Sequence, residues 1–257
     1  MAHFLCYNGP AMKIVIATPV YPPEIGGPAT YTKELCERIH QDHDITVVAY
    51  TDARDPFPGT KLISVSKRSS MLKRLVKYFI EIWKASSDAD LIYVQNAMAA
   101  GLPVALVNFF RGTPFALKFV GDEAWERASQ HKLTEKRLEE FLQSPEGGLK
   151  IRLMMMIQGF VLRRAGIVTT PSSYLSREIE KTYKVHPSKL IVNYNAAEET
   201  KTIPFEPKPT SHQIITTARL VKWKGIDGIM KAVAVVKKDF PDVKLVVAGD
   251  GPEFENL

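Results

Sequence analysis

Ile14-Val15-Ile16-Ala17 is a continuous apolar run, followed by the turn Pro22-Pro23-Glu24-Ile25-Gly26-Gly27-Pro28 and a helical pattern over residues 30–39. An apolar strand without polar alternation suits a parallel sheet covered on both faces. The same character returns at residues 45–50, 62–65, 91–94, 115–119, 167–169 and 190–192. Helical patterns lie between these runs, at 72–83, 134–142, 149–164 and 173–181. Strands alternating with helices predict an α/β fold, a Rossmann-like doubly wound parallel sheet.

The rhythm breaks over residues 196–212, where Pro204, Pro207 and Pro209 stand among Glu, Lys and Thr. That stretch reads as an interdomain linker. Beyond it, Ile214-Ile215-Thr216-Thr217 opens a second alternation, with a helix over 225–238 and a strand over 243–247. This is one β-α-β unit, too small to bury a core of its own. Residues 1–11 (MAHFLCYNGPA) carry no period and read as an extension. The expected organisation is therefore an extension (1–11), a Rossmann-like domain (12–195), a linker (196–212) and an incomplete second Rossmann-like unit (213–257).

Composition narrows the function classes. The chain has 257 residues, 45% hydrophobic and 24% charged, which is ordinary for a globular protein. A net charge of +6 leaves nucleic acid, anionic lipid and phosphorylated small molecules open as partners. The basic patches lack the aromatic interleaving of a single-stranded nucleic-acid groove, which argues against nucleic acid. Cys6 and Cys36 form no metal-binding spacing, and a reduced, cytoplasmic setting is the expectation. The longest apolar stretch, residues 97–110, is shorter than the about 20 residues of a bilayer span.

Several residues are candidates for chemistry. Gly26 and Gly27 sit where a strand enters a helix, so backbone can approach a ligand and the helix N-terminus can face an anion. The plain alternative is a Gly-Gly turn. The pattern is neither a dinucleotide fingerprint nor a phosphate-binding P-loop. In Thr217-Ala218-Arg219-Leu220-Val221-Lys222-Trp223-Lys224-Gly225, Arg219 and Lys224 occupy a strand-to-helix turn. There they can hold phosphate oxygens or stand as solvated cations. Asp122 and Glu123 follow the strand at 115–119; they can bind sugar hydroxyls or act as a base, and Asp122 also suits a helix N-cap. Residues 67–84 place Leu72, Leu75, Val76, Phe79 and Trp83 at helical spacing among Lys67, Arg68, Lys73, Arg74, Lys77 and Lys84. Such a helix either packs its stripe into the core or lies on an anionic membrane surface.

These segments resemble the retaining glycosyltransferases of family 4 (group 1), which have the GT-B fold. The resemblance runs from Met12 onward and rests on the Pro-Pro-Glu-Ile-Gly-Gly loop, on residues 166–173 and 192–195, on residues 218–225, and on residues 240–252, which end Ala248-Gly249-Asp250-Gly251-Pro252. It implies an acceptor-binding first domain and a second domain that binds a nucleoside-diphosphate sugar. Arg219 and Lys224 would then neutralise the leaving diphosphate, Gly26 and Gly27 would lie near the donor phosphates, and Gly249 and Gly251 near the nucleotide. Metal and cofactor are not called for, because cationic side chains supply the charge. The implied acceptor is a glycan or lipid-linked molecule, with polysaccharide biosynthesis as the setting and peripheral association with the inner membrane face. Two departures stand out. Val120-Gly121 replaces the family's His-Gly, so Asp122 or Glu123 would substitute. The glutamate pair of the second domain is missing, since Glu198 and Glu206 have its spacing but not its surroundings. The resemblance thus implies a chain with an incomplete donor domain and little activity alone. The alternative is a non-catalytic Rossmann-like binding module for a partner or an anionic membrane surface.

Overall fold

The computed structural model describes residues 9–196 and 212–257. The expected linker therefore lies almost wholly outside the described residues, as do Glu198, Glu206 and most of the expected extension.

Seven parallel strands form one sheet: β1 (Lys13–Thr18), β2 (Asp44–Tyr50), β3 (Thr60–Val65), β4 (Leu91–Val94), β5 (Phe115–Lys118), β6 (Ile167–Thr170) and β7 (Leu190–Val192). Their spatial order is β3-β2-β1-β4-β5-β6-β7. The order reverses between β1 and β4, and in doubly wound sheets the ligand crevice lies at the carboxyl ends of the strands at that reversal. Helices cover both faces of the sheet, which is the doubly wound α/β architecture.

The two faces are unequally covered. Side chains alternate along each strand. Val15, Ala17, Ile92, Val94, Leu117 and Val168 point into the larger core. That core is closed by α2 (Met71–Ala85), α3 (Gly101–Arg111), α4 (Glu123–Gln130), α5 (Leu138–Gln143), α6 (Gly148–Arg164) and α7 (Ser173–Tyr183). On the other face, Ile14, Ile16, Ile45 and Val47 pack beneath α1 (Gly27–Ile39), which contributes the fully buried Cys36. Burial pushes the Cys36 thiol up to about 12, so it is a core residue with no thiolate at neutral pH. Further along this face, Ile167 and Ile191 are exposed.

Local chemistry explains the helix limits. Ser172 caps α7 by accepting the Leu175 N–H at 3.2 Å. Gly112 ends α3 with φ 79°, a left-handed conformation that glycine adopts without strain. The helix expected over 134–142 is shorter, starting only at Leu138. Upstream, the Thr134 hydroxyl donates to Glu146 Oε2 at 2.7 Å and accepts the Lys136 N–H at 3.2 Å, a local bonding scheme that competes with helix.

The helix at 71–85 corrects a second expectation. Of the expected stripe, Phe79 and Trp83 pack against the core, whereas Leu72 and Val76 do not. Tyr78 and Ile82 are buried instead, while Leu72 is 72% and Val76 51% exposed. The cause is an anchor: the Tyr78 hydroxyl donates to Val48 O at 2.9 Å and its ring stacks on Tyr50 at 4.2 Å. That pair fixes the rotation of the helix. Among the described residues no helix is long and apolar enough to cross a membrane.

The second unit comprises β8 (Gln213–Thr217), α8 (Ile226–Val236) and β9 (Lys244–Ala248), with β8 and β9 parallel. It forms the partial Rossmann-like β-α-β unit that the sequence predicts.

Candidate functional site

The β1–α1 connection ends at Gly26, the N-cap of α1. Among the described residues nothing lies within 4 Å of where a Cβ on Gly27 would stand, which leaves open space for a ligand there. The supply of donors is smaller than a helix N-terminus usually offers. The N–H groups of Ala29 and Thr30 both bond to Gly26 O, at 3.0 and 3.1 Å, and Pro28 has no N–H. Among the described residues, the Gly27 N–H is the donor left over in that turn.

Across the crevice, the first turn of α4 supplies three carboxylates. Asp122 is 1% exposed. Its Oδ1 accepts the Trp125 N–H at 2.8 Å and its Oδ2 accepts the Tyr183 hydroxyl. Burial pushes its pKa up. This is the N-cap alternative, with both oxygens engaged. Glu123 is held by its own N–H, which donates to Gln158 Oε1 at 2.9 Å, and by Oε1, which accepts the Met98 N–H at 3.1 Å. Burial drives its pKa up to about 7, against the opposing pull of bonds from Asn96 and Met98. A carboxyl poised near neutrality can give or take a proton.

Glu126 belongs to the same acidic segment but is not among the residues singled out from the sequence, although it lies three residues from Glu123 and so on the same face of the helix. Its Oε1 would stand 2.5 Å from a Cβ on Gly121, so the glycine leaves room for this carboxylate. Burial and the charge of Asp122 raise its pKa, and Arg219 of the second unit lowers it. Arg219 thus lies within electrostatic reach of the acidic turn.

Arg219 and Lys224 are exposed, and neither has a carboxylate at ion-pair distance among the described residues. Lys222 makes the cross-unit ion pair instead, with Glu135 Oε1 at 2.7 Å. Beside it, Trp223 meets Trp125 with ring centroids 5.5 Å apart. Gly249 and Gly251 have a structural reason to be glycine. A Cβ would come within 1.8 Å of Ala218 O at the first and 2.3 Å of Leu220 O at the second. The Ala218 N–H bonds to Ala248 O at 3.1 Å and the Leu220 N–H to Asp250 O at 2.9 Å. The Gly-Asp-Gly turn is therefore laced to the backbone that presents Arg219. Among the described residues no three His, Cys, Asp or Glu side chains are grouped to hold a metal ion.

Residues 26–196 match the Glycosyl transferase 4-like domain family, and residues 198–257 match the Glycosyl transferases group 1 family. The crystal structure of Anabaena Alr3699/HepE in complex with UDP is similar at 16% identity, with a TM-score of 0.62, over 95% of this chain and 63% of that one. The complex with UDP and glucose gives a TM-score of 0.64 over the same shares. The N-terminal domain of Candida albicans trehalose-6-phosphate phosphatase is similar at 10% identity, with a TM-score of 0.64, over 94% of this chain and 65% of that one. At such identities the likeness is one of fold. The chain spans about 63% of the length of the HepE structures. No curated protein matches it.

Proposed function

This chain belongs to the glycosyl transferase 4-like family, a group 1 glycosyltransferase of GT-B fold, and from that premise we propose that it serves the transfer of a hexose from a nucleoside-diphosphate sugar to a glycan or lipid-linked acceptor. The transfer proceeds with retention, as in family 4. The seven-stranded unit (12–195) takes the acceptor, and the unit beyond the linker takes the donor. One observation carries the reading: Arg219 and Lys224, without a carboxylate at ion-pair distance among the described residues, stand in a turn clamped by Gly249 and Gly251, within electrostatic reach of the acidic turn of α4. UDP in the HepE complexes lends the donor class further support.

In this reading Arg219 and Lys224 neutralise the charge that grows on the departing diphosphate. The acceptor hydroxyl attacks the anomeric carbon from the face the diphosphate leaves. The bond from that carbon to the phosphate oxygen breaks, and the freed oxygen takes the acceptor proton. Gly27, with its open approach, borders the donor phosphates. Glu123 and Glu126 bind sugar hydroxyls, and Asp122 holds their helix turn. The reading calls for neither metal ion nor cofactor.

The test is equilibrium binding of UDP, GDP and ADP to the chain, with and without EDTA. Arg219→Ala should weaken the preferred nucleotide about tenfold or more, ~1.4 kcal/mol, and EDTA should change nothing. Unaltered affinity in the variant removes Arg219 from the site; an EDTA-sensitive affinity removes the metal-free scheme.

A second surface belongs to the same reading. Leu72, Val76 and Ile80 of α2 are exposed and flanked by Lys73, Lys77 and Lys84, and Phe109 and Phe110 of α3 are exposed as well. An apolar stripe between lysines suits the interface of an anionic membrane, where a lipid-linked acceptor would lie.

A further inference from the structure

Lys118 is the last residue of β5 and is only 8% exposed. Strand alternation turns it away from the large core and toward α1. Its Nζ lies 3.6 Å from the centre of the Tyr31 ring and donates to Asn195 Oδ1 at 3.2 Å. Among the described residues no carboxylate pairs with it. An ammonium has three N–H donors, and a buried one is costly unless its charge is met. A ring face and one amide oxygen leave this charge uncompensated.

A second buried polar group stands beside it. Lys118 is in register with Thr169 on β6, so both side chains project from the same face. The Thr169 hydroxyl oxygen is buried and, among the described residues, has no hydrogen-bond partner. Tyr93 is close enough for Thr169 to influence its ionisation, but the pair does not reach bonding geometry. A cation without a carboxylate partner and a hydroxyl without a hydrogen bond, on adjacent strands at the carboxyl edge of the sheet and among the described residues, share one complement: an oxyanion. Asn195 is exposed and forms the outer wall. Tyr31 lies four residues beyond Gly27, about 6 Å along the helix axis, which places Lys118 near the Gly26–Gly27 turn.

The geometry points to an anion subsite made by Lys118, Thr169 and Asn195, which takes a phosphate or carboxylate group of the acceptor. The word acceptor rests on the transferase reading; the oxyanion chemistry does not. The substrate class of the seven-stranded unit is then an acidic one, such as a phosphorylated or uronic sugar.

Two variants test it in the full chain. Lys118→Met keeps the aliphatic stem and removes the charge. Asn195→Asp, at an exposed position, sets a carboxylate on the ammonium and fills the site from within. Both should lose about 10- to 100-fold in affinity for glucose 1-phosphate or glucuronate, measured by calorimetric titration. Thermal stability separates this role from a structural one: Lys118→Met should melt no lower than the parent chain, because a buried charge has given way to an apolar group. Loss of UDP affinity instead, or as well, puts the oxyanion on the donor and overturns the acceptor assignment. A parent chain that binds neither acidic probe, or variants that bind them unchanged, overturns the subsite. Sensitivity of UDP binding to Arg219→Ala judges the transferase reading separately, so either can fail without the other.

Discussion

Glu123 binds its proton more tightly in the folded chain than in the unfolded one, because burial disfavours its charged form. The ordinary carboxyl value is 4.5 and the folded value is about 7. Below the lower value the group is protonated in both states, and its contribution to stability is fully present. Between the two values the folded chain holds a proton that the unfolded chain has released, so stability falls as pH rises. Above the upper value the loss is complete. Glu123→Gln keeps an oxygen for the Met98 N–H but cannot ionise. Its melting temperature should therefore match the parent's near the ordinary carboxyl value and exceed it progressively toward neutrality. Circular dichroism melts across that window decide the matter, and a difference independent of pH would show that Glu123 does not titrate there. If the carboxyl also serves transfer, the substitution should lower turnover while raising stability, the usual trade at a functional site.

Helix α2 shows how an element can be half legible. Its existence and amphipathic period follow from the sequence, and so does its basic flank. Its inward face follows only in part: Phe79 and Trp83 pack on the core as expected, but Leu72 and Val76 do not, because the anchor is a long-range contact from Tyr78 to Val48 and Tyr50 that periodicity alone does not encode. The exposed result makes a prediction. Leu72→Glu with Val76→Glu should abolish co-sedimentation with vesicles rich in anionic lipid and leave the melting temperature nearly unchanged, since surface positions contribute little to stability. A parent chain that fails to sediment at low salt removes the membrane surface from the proposal. The strands were legible for the opposite reason: a two-sided buried strand shows as an unbroken apolar run whatever its partners are. The candidate site is legible only in part. Gly26, Gly27, Arg219 and Lys224 are candidates by local turn chemistry alone, and Asp122 is the cap that its sequence suggests. Lys118 and Glu126 are not legible in this way, because their significance comes from partners on other elements, Thr169 and Asn195 for one and Arg219 for the other.

At the scale of the molecule, the two units meet through unlike contacts. The Lys222–Glu135 pair is short, but both side chains are open to solvent, 49% and 85% exposed, and such pairs contribute little. The Trp125–Trp223 contact joins α4 to the turn that carries Arg219, and an aromatic pair adds about 0.5–1.5 kcal/mol beyond its buried area. Trp125 is further fixed by its indole N–H, which donates to Lys136 O at 2.9 Å. The aromatic pair, not the ion pair, should therefore hold Arg219 against the acidic turn. Hydrogen exchange of the α4 amides reads this directly. Trp223→Ala should speed their exchange, while Lys222→Ala should not. Nor should about 1 M salt, where the Debye length is about 3 Å. Protection that falls with Lys222→Ala or with salt would make the junction electrostatic. The donor turn would then be positioned by charges that the diphosphate itself could compete for.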